Sequence, residues 1–393
     1  MVATRRMAAA LSAGETPNRK ETARKRKVEP KAQLKKQKPD LKNDISNEAA
    51  KAKVQSHQQK SVVRKTTASS KLTNDGRLLF SLKDADELIS AKILARPSKR
   101  NRSPYVADIW LEGEQREAIA HVPNLDMGGK CVPGKSVLVR PARDNKGNKV
   151  PPDAVSAKHG TPKCEFITQL LYVDESDLSP KMYPPTWVGA HPSLGERIAE
   201  QWLEENLVEG IPPVTSIEKQ VRNPAGADMR SDFLLHHVDG SKRLVEVKTV
   251  VDSDYCASAA PDVMKCRFLS AKDPYTRTGI FPWGKSNQKG PEGEKVVSAR
   301  AIKHVRELTH IVQGKLSDGE TSYQATVLFV VIRGDVHGFR PNHEACPSFC
   351  KYLKEAEDAG VQVLAKRVRW GSGEEEGRCY DDAMLPIEWP DME

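Results

Sequence analysis

The chain has 393 residues, 38% of them hydrophobic, and a formal net charge of +9. That length allows two domains and a tail. No apolar run is long enough to span a membrane, and seven scattered cysteines form no disulfide framework, so neither a membrane-inserted chain nor a disulfide-stapled secreted fold is expected.

The charge is unevenly placed. Residues 1–71 carry 19 Lys+Arg against 6 Asp+Glu, while the remainder carries 43 against 47. The basic balance therefore belongs to the first segment, and the body is slightly acidic. Residues 1–72 contain no Trp, Tyr or Phe, so they cannot bury enough apolar surface to offset ordering and read as a disordered basic tail. Arg24-Lys25-Arg26-Lys27 has the composition of a nuclear import signal, and a nuclear location is expected. An organellar transit sequence built on Arg5, Arg6 and the nearby alanines, or a cytoplasmic location, are the alternatives.

A first domain is expected over 77–172. Short strands at 78–80, 90–94, 105–111, 118–122 and 136–139, separated by Pro and Gly, have the spacing of a small β-barrel. Lys99, Arg100 and Arg102 make one basic loop; Arg143 and Lys146, with Arg140 and Lys149, make another. Tyr105 can stack on a base, whereas Trp110 reads as barrel core. His121 and Asn124 suit a turn or a ligand contact equally.

A second domain is expected over 187–389. Leu194, Ile198, Trp202 and Leu203 form the apolar stripe of a helix, with Glu196 and Glu200 one turn apart on its other side. A short strand over 217–222 and a turn follow. Two apolar-rich runs then flank Asp239-Gly240, a hairpin signal. Alternation on the second run places Glu246 and Lys248 on one face, about 7 Å apart. Asp232 starts the partner run. Two carboxylates with an ammonium can hold Mg²⁺ or Mn²⁺ and act on a phosphoryl group. The same pattern also fits a solvated strand face.

At these residues the chain resembles the sugar fermentation stimulation protein family. The resemblance rests on Arg230-Ser231-Asp232-Phe233-Leu234-Leu235 followed by Val245-Glu246-Val247-Lys248-Thr249-Val250. It extends to Pro104-Tyr105-Val106-Ala107-Asp108-Ile109, His121-Val122-Pro123-Asn124 and Cys131-Val132-Pro133-Gly134 in the first domain. It implies an α/β (α+β) protein: an OB-like barrel that binds DNA, followed by a PD-(D/E)xK nuclease-like domain with a mixed sheet flanked by helices. It assigns Asp232, Glu246 and Lys248 to catalysis, with Asp232 and Glu246 as metal ligands. Glu196 or Glu200 would be an accessory acid. Ser231 stands where the superfamily motif has proline.

Residues 252–278 read as a surface insertion. Ser298–Leu308 resembles a family helix, and its Arg300, Lys303 and His304 are accessory candidates beside phosphate. The family's glycine in that helix is Ala301 here. Ala325–Ile332 reads as a strand buried on both faces, 348–359 as a helix, and 361–364 as the strand that closes the sheet. Strand, helix and strand imply a parallel crossover. The stretch from His343 to Cys350 offers too few ligands for zinc. There is no nucleophile elbow and no Walker loop.

The function expected is that of a DNA-binding protein with a Mg²⁺- or Mn²⁺-dependent phosphodiester-hydrolysing site. The alternatives are a non-catalytic DNA-binding regulator and a protein-interaction scaffold. The sequence does not set the oligomeric state.

Overall fold

The computed structural model describes residues 76–123, 127–260, 268–317, 319 and 322–390. The expected basic tail, with its import-like cluster, and Asn124 lie outside them.

The first strand, β1 (Leu78–Ser81), is followed by β2 (Ile89–Ala95), β3 (Val106–Leu111), β4 (Arg116–His121), β5 (Ser136–Pro141), β6 (Phe166–Val173) and β7 (Thr186–Gly189). Strands β4, β3, β2, β5 and β6 pair in that order, and β4 also pairs β6, which closes a five-stranded barrel. Inward residues alternate along these strands, and Ile93, Ile109, Ala118, Val137 and Leu171 fill the interior.

Two strands sit differently from the sequence reading. β1, expected in the barrel, pairs antiparallel with a strand near the C-terminus. β7, not expected as a strand and lying where the second domain was expected to start, extends the barrel sheet through β6. Sequence distance misled here: both strands are short, and the edge that accepts a short strand is set by tertiary packing.

Helix α1 (Ser193–Glu204), β8 (Val214–Arg222), β9 (Arg230–His237) and β10 (Lys242–Val250) follow. Six short strands come next: β11 (Asp252–Ser253), β12 (Tyr255–Cys256), β13 (Leu269–Ser270), β14 (Thr278–Phe281), β15 (Gln288–Lys289) and β16 (Lys295–Val296). The chain then forms α2 (Ala299–Val312), β17 (Tyr323–Val331), β18 (Gly338–Pro341), α3 (Pro347–Asp358), β19 (Gln362–Trp370) and β20 (Arg378–Met384).

Seven strands form a mixed sheet in the order β1-β20-β19-β17-β10-β9-β8. β10, β17 and β19 are parallel, and the other pairings are antiparallel. The parallel strands are linked by crossovers through α2 and α3, whose apolar faces pack on one side of the sheet with Leu244, Val327 and Phe329. The other side packs on α1 and on barrel residues Leu138 and Leu170. β17 is buried along Ala325–Val331, as its unbroken apolar run predicts.

Two further expectations need correction. β19 does not close the sheet, because β20 and β1 continue it. The stretch after β10 is not a loose surface insertion at its ends. Asp252, Ser253, Asp254, Arg277 and Thr278 are buried, because β11 and β14 pair and carry their polar side chains into an ionic cluster.

Candidate functional site

Gly240 takes φ +81°, which the tight turn between β9 and β10 requires. Pairing of the two strands runs from Lys242 opposite His236 to Val245 opposite Phe233 and then stops. Beyond it β10 stays with β17, Glu246 opposite Val327 and Lys248 opposite Phe329. β9 stays with β8, Ser231 opposite Val221 and Arg230 opposite Arg222. The sheet therefore forks between Asp232 and Glu246.

Asp232 occupies the fork. Its Oδ2 accepts the Val247 N–H at 2.8 Å, in place of the ladder bond that β9 no longer supplies. In an extended strand a residue's N–H and C=O point to the same side. The Val247 carbonyl therefore also faces into the fork.

Alternation sets the rest of the site. Val245 and Val247 are in the core on the α1 side, and Leu244 and Val250 in the core on the α2 side, so Glu246 and Lys248 project toward α2. Glu246 is 2% exposed. Its Oε1 accepts from the Lys248 ammonium and meets His304 Nδ1 at 2.5 Å. Its Oε2 is buried and has no hydrogen-bond partner.

The two carboxylates titrate in opposite directions. Burial opposes the charge on Glu246, but Lys248 and His304 outweigh it and hold the group below the usual carboxylate range. Burial first, and the Glu246 charge second, push Asp232 up to about 6. Close carboxylates driven apart in this way mark a site short of positive charge.

The accessory candidates separate. Gln220 on β8, at φ +55°, donates weakly to both Glu196 Oε2 and Asp232 Oδ1, each at 3.4 Å. Glu196 therefore borders the fork. Glu200 faces away and pairs with Lys219 at 2.6 Å. His304 is buried against Glu246, while its neighbours on the polar face of α2 stay open. Arg300 and Lys303 are exposed and line a cleft of about 580 Å³ with Arg222 and Arg230. Lys303 also pairs with Asp228 at 2.5 Å.

The donors that share the fork are hard oxygens: Asp232, the partnerless Glu246 Oε2 and the Val247 carbonyl. They suit Mg²⁺ or Mn²⁺, which take one or two carboxylates and complete their shell with water and substrate oxygens. Among the described residues no group of three or more His, Cys, Asp or Glu side chains is arranged to hold a metal. Cys346 and Phe349 instead belong to the apolar core.

The barrel candidates are more committed to structure than their charges suggest. Arg100 donates to the Ala118 carbonyl at 2.7 Å and to Asp108 at 3.3 Å. The backbone N–H of Lys99 is held by the same Asp108. Arg143 grips Asp86 through two nitrogens, at 2.7 and 2.8 Å. His121 is half-buried, and burial with the Arg96 charge lowers its pKa, so it is neutral at pH 7. Arg102 and Lys146 are exposed, and Tyr105 is 43% exposed.

Sequence reasoning missed Gln220 and the Val247 backbone. A glutamine on an edge strand carries no signal of its own, and a fork is a property of three strands. It also missed the basic residues Arg222 and Arg230, whose opposition in register follows only once β8 is paired with β9.

The sugar fermentation stimulation protein RE domain family matches residues 295–374. A sugar fermentation stimulation protein homolog of Cyanothece sp. is 27% identical over 278 residues, 70% of this chain and 87% of that protein. Its counterpart in Thioalkalivibrio sulfidiphilus is 29% identical over 214 residues, 52% of this chain and 73% of that protein. The structure of Pyrococcus furiosus SfsA in complex with Ca²⁺ superposes with a TM-score of 0.52 at 16% identity, covering 79% of this chain and 99% of that one. Its fold fits the barrel and the nuclease-like sheet found here. The curated relatives are bacterial, from cyanobacteria and Shewanella among others. That overturns the expectation of a nuclear protein, since bacteria have no nucleus.

Proposed function

The chain belongs to the sugar fermentation stimulation protein family, and from that premise we propose that it binds DNA and hydrolyses phosphodiesters at the forked hairpin with a divalent cation. The observation that carries this reading is the buried, partnerless Glu246 Oε2 beside an Asp232 whose pKa is raised to about 6.

Asp232, Glu246 and the Val247 carbonyl would hold Mg²⁺ or Mn²⁺. A bound ion would acidify water and neutralise charge on the scissile phosphate. His304 and Lys248 both occupy Oε1 of Glu246, which orients that carboxylate and leaves Oε2 for the ion. Lys248, 11% exposed at its side chain, orients the attacking water or meets charge developing on the phosphate. Arg300 and Lys303 hold flanking phosphates at the mouth of the fork. The Ca²⁺ complex of the Pyrococcus relative supports a cation site in this fold.

The test follows thermal unfolding against Mn²⁺ concentration, together with cleavage of single- and double-stranded DNA. Wild type is expected to be stabilised by Mn²⁺ through mass action. Asp232→Asn keeps the shape, and both the shift and cleavage should vanish. Lys248→Ala should keep the shift and lose cleavage. A full shift in Asp232→Asn removes the metal site. The reading that remains is then a DNA-binding protein without hydrolysis.

A further inference from the structure

Three open clefts lie in line along the exposed side of α2. The first, at the fork, contains Arg300 and Lys303. The second, of about 380 Å³, shares Lys303 and adds Lys289, Arg306 and His310. The third, of about 430 Å³, shares Arg306 and His310 and ends at Lys315 and Tyr352. Shared walls make one groove of the three. From Arg300 to Val312 the groove follows about 18 Å of helix axis, at about 1.5 Å per residue, and Lys315 lies just past the helix end.

Its charge runs against that of the body. Seven Lys or Arg side chains line the three clefts against four acids, Asp228, Glu307, Glu355 and Asp358. Asp358 is paired outward with Lys354 at 2.8 Å. Arg306 lies over the Tyr352 ring, 5.0 Å from its centroid, which holds its guanidinium along the groove floor. A cationic channel on a slightly acidic body concentrates field lines and selects a polyanion. The second cleft is walled on one side by α2 and on the other by Lys289, Gly290 and Pro291, the turn that joins β15 to β16. A cleft of about 380 Å³ between these walls has room for one backbone strand and not for a duplex.

We propose that this groove is the track for the phosphate backbone of a single nucleic-acid strand leading away from the fork. The proposal rests on the nucleic-acid reading of the site and moves the main contact surface from the barrel loops to α2. The committed bonds of Arg100 and Arg143 agree with that shift.

The experiment measures binding of labelled single-stranded and duplex DNA oligonucleotides to the full chain in EDTA, over a range of salt. Lys289, Arg306 and Lys315 are reversed together to Glu, none of the three lining the cleft at the fork. A second variant reverses Arg143 and Lys146 in the barrel. Each lost phosphate contact lowers the log–log salt slope by about 0.7 on a single strand, so the groove variant should lose about 2 from its slope. Its affinity should fall at least tenfold, and the barrel variant should change little. If the Glu variant melts early, Lys289→Gln with Arg306→Gln and Lys315→Gln replaces it. Wild-type binding with an unchanged slope in the groove variant overturns the groove alone. A slope loss seen with duplex and not with single strand overturns the single-strand assignment. No binding by wild type removes the nucleic-acid reading and the groove with it.

Discussion

Asp335 lies between two guanidinium groups with almost no access to water. Arg333, fully buried, donates to both its oxygens at 2.6 and 2.7 Å, and Arg277 adds a third bond at 2.8 Å. Burial opposes the carboxylate charge, yet Arg333 and Arg277 outweigh it and hold Asp335 far below the usual range. Asp335→Asn would leave two charged groups facing a neutral amide in the interior. The expected loss is about 3–5 kcal/mol, read as a lower urea midpoint at constant slope. The wild-type contribution is present above the unfolded value of 3.8 and fades as pH falls below it. At this scale the sequence was legible where alternation carries the information. Glu246 and Lys248 had to share a face, and they do. The sequence could not show that His304 would turn inward, because helical spacing places it on a polar face while packing brings Glu246 to it. Nor could it show the Arg333–Asp335 pair, whose meaning depends on Arg277 just before β14.

Helix α1 rests on β10 at one point of closest approach. A Cβ on Gly195 would overlap the Thr249 side chain, so the glycine sets how closely the helix lies on the sheet. The next residue is Glu196, at the border of the fork. Gly195→Ala should therefore cost about 1–3 kcal/mol through overpacking and draw Glu196 back from Gln220. Thr249→Ala in the same chain should recover part of the loss, a coupling that a double-mutant cycle measures. An additive pair would place the strain elsewhere. Elements with a strong local signature were readable: the Asp239-Gly240 hairpin, the apolar run of β17, and α2 and α3 by their stripes. β20 was not. Its sequence, Arg378-Cys379-Tyr380-Asp381-Asp382-Ala383-Met384, has no clean period, and its strand state comes from the partners β19 and β1 on either side.

The barrel and the large sheet form one body through two kinds of contact. Leu138 and Leu170 enter the same core as α1, and Gly189 N–H donates to the Ile332 carbonyl at 2.9 Å. Beside this apolar seam runs an ionic one. Glu175, just after β6, accepts from Arg277 at 2.7 Å and from the Tyr255 hydroxyl at 2.6 Å. Lys130, in the segment between β4 and β5, is buried there near Asp252, Glu175, Arg277 and Arg333 and lies 5.3 Å from the Tyr255 ring centroid. Burial outweighs the attraction of Asp252 and Glu175 and lowers Lys130 to about 8. The unfolded chain keeps that proton until about 10.5, the ordinary lysine value. Between these values the unfolded state binds a proton that the folded state lacks, so stability rises with pH. Below 8 both states are protonated, and the cost of burying the ammonium is full and flat. Above about 10 the buried Tyr255 and Tyr275, held protonated mainly by burial, make stability fall again, because the unfolded tyrosines lose protons first. Lys130→Met keeps the length and removes the charge. The difference in melting temperature, wild type minus variant, should be constant from pH 6 to 7.5 and then climb in favour of wild type between 8 and 10. Tyrosine titration is common to both chains and cancels. A difference that stays level across that window would mean that Lys130 keeps its proton in the fold and that the seam holds a charged lysine without penalty.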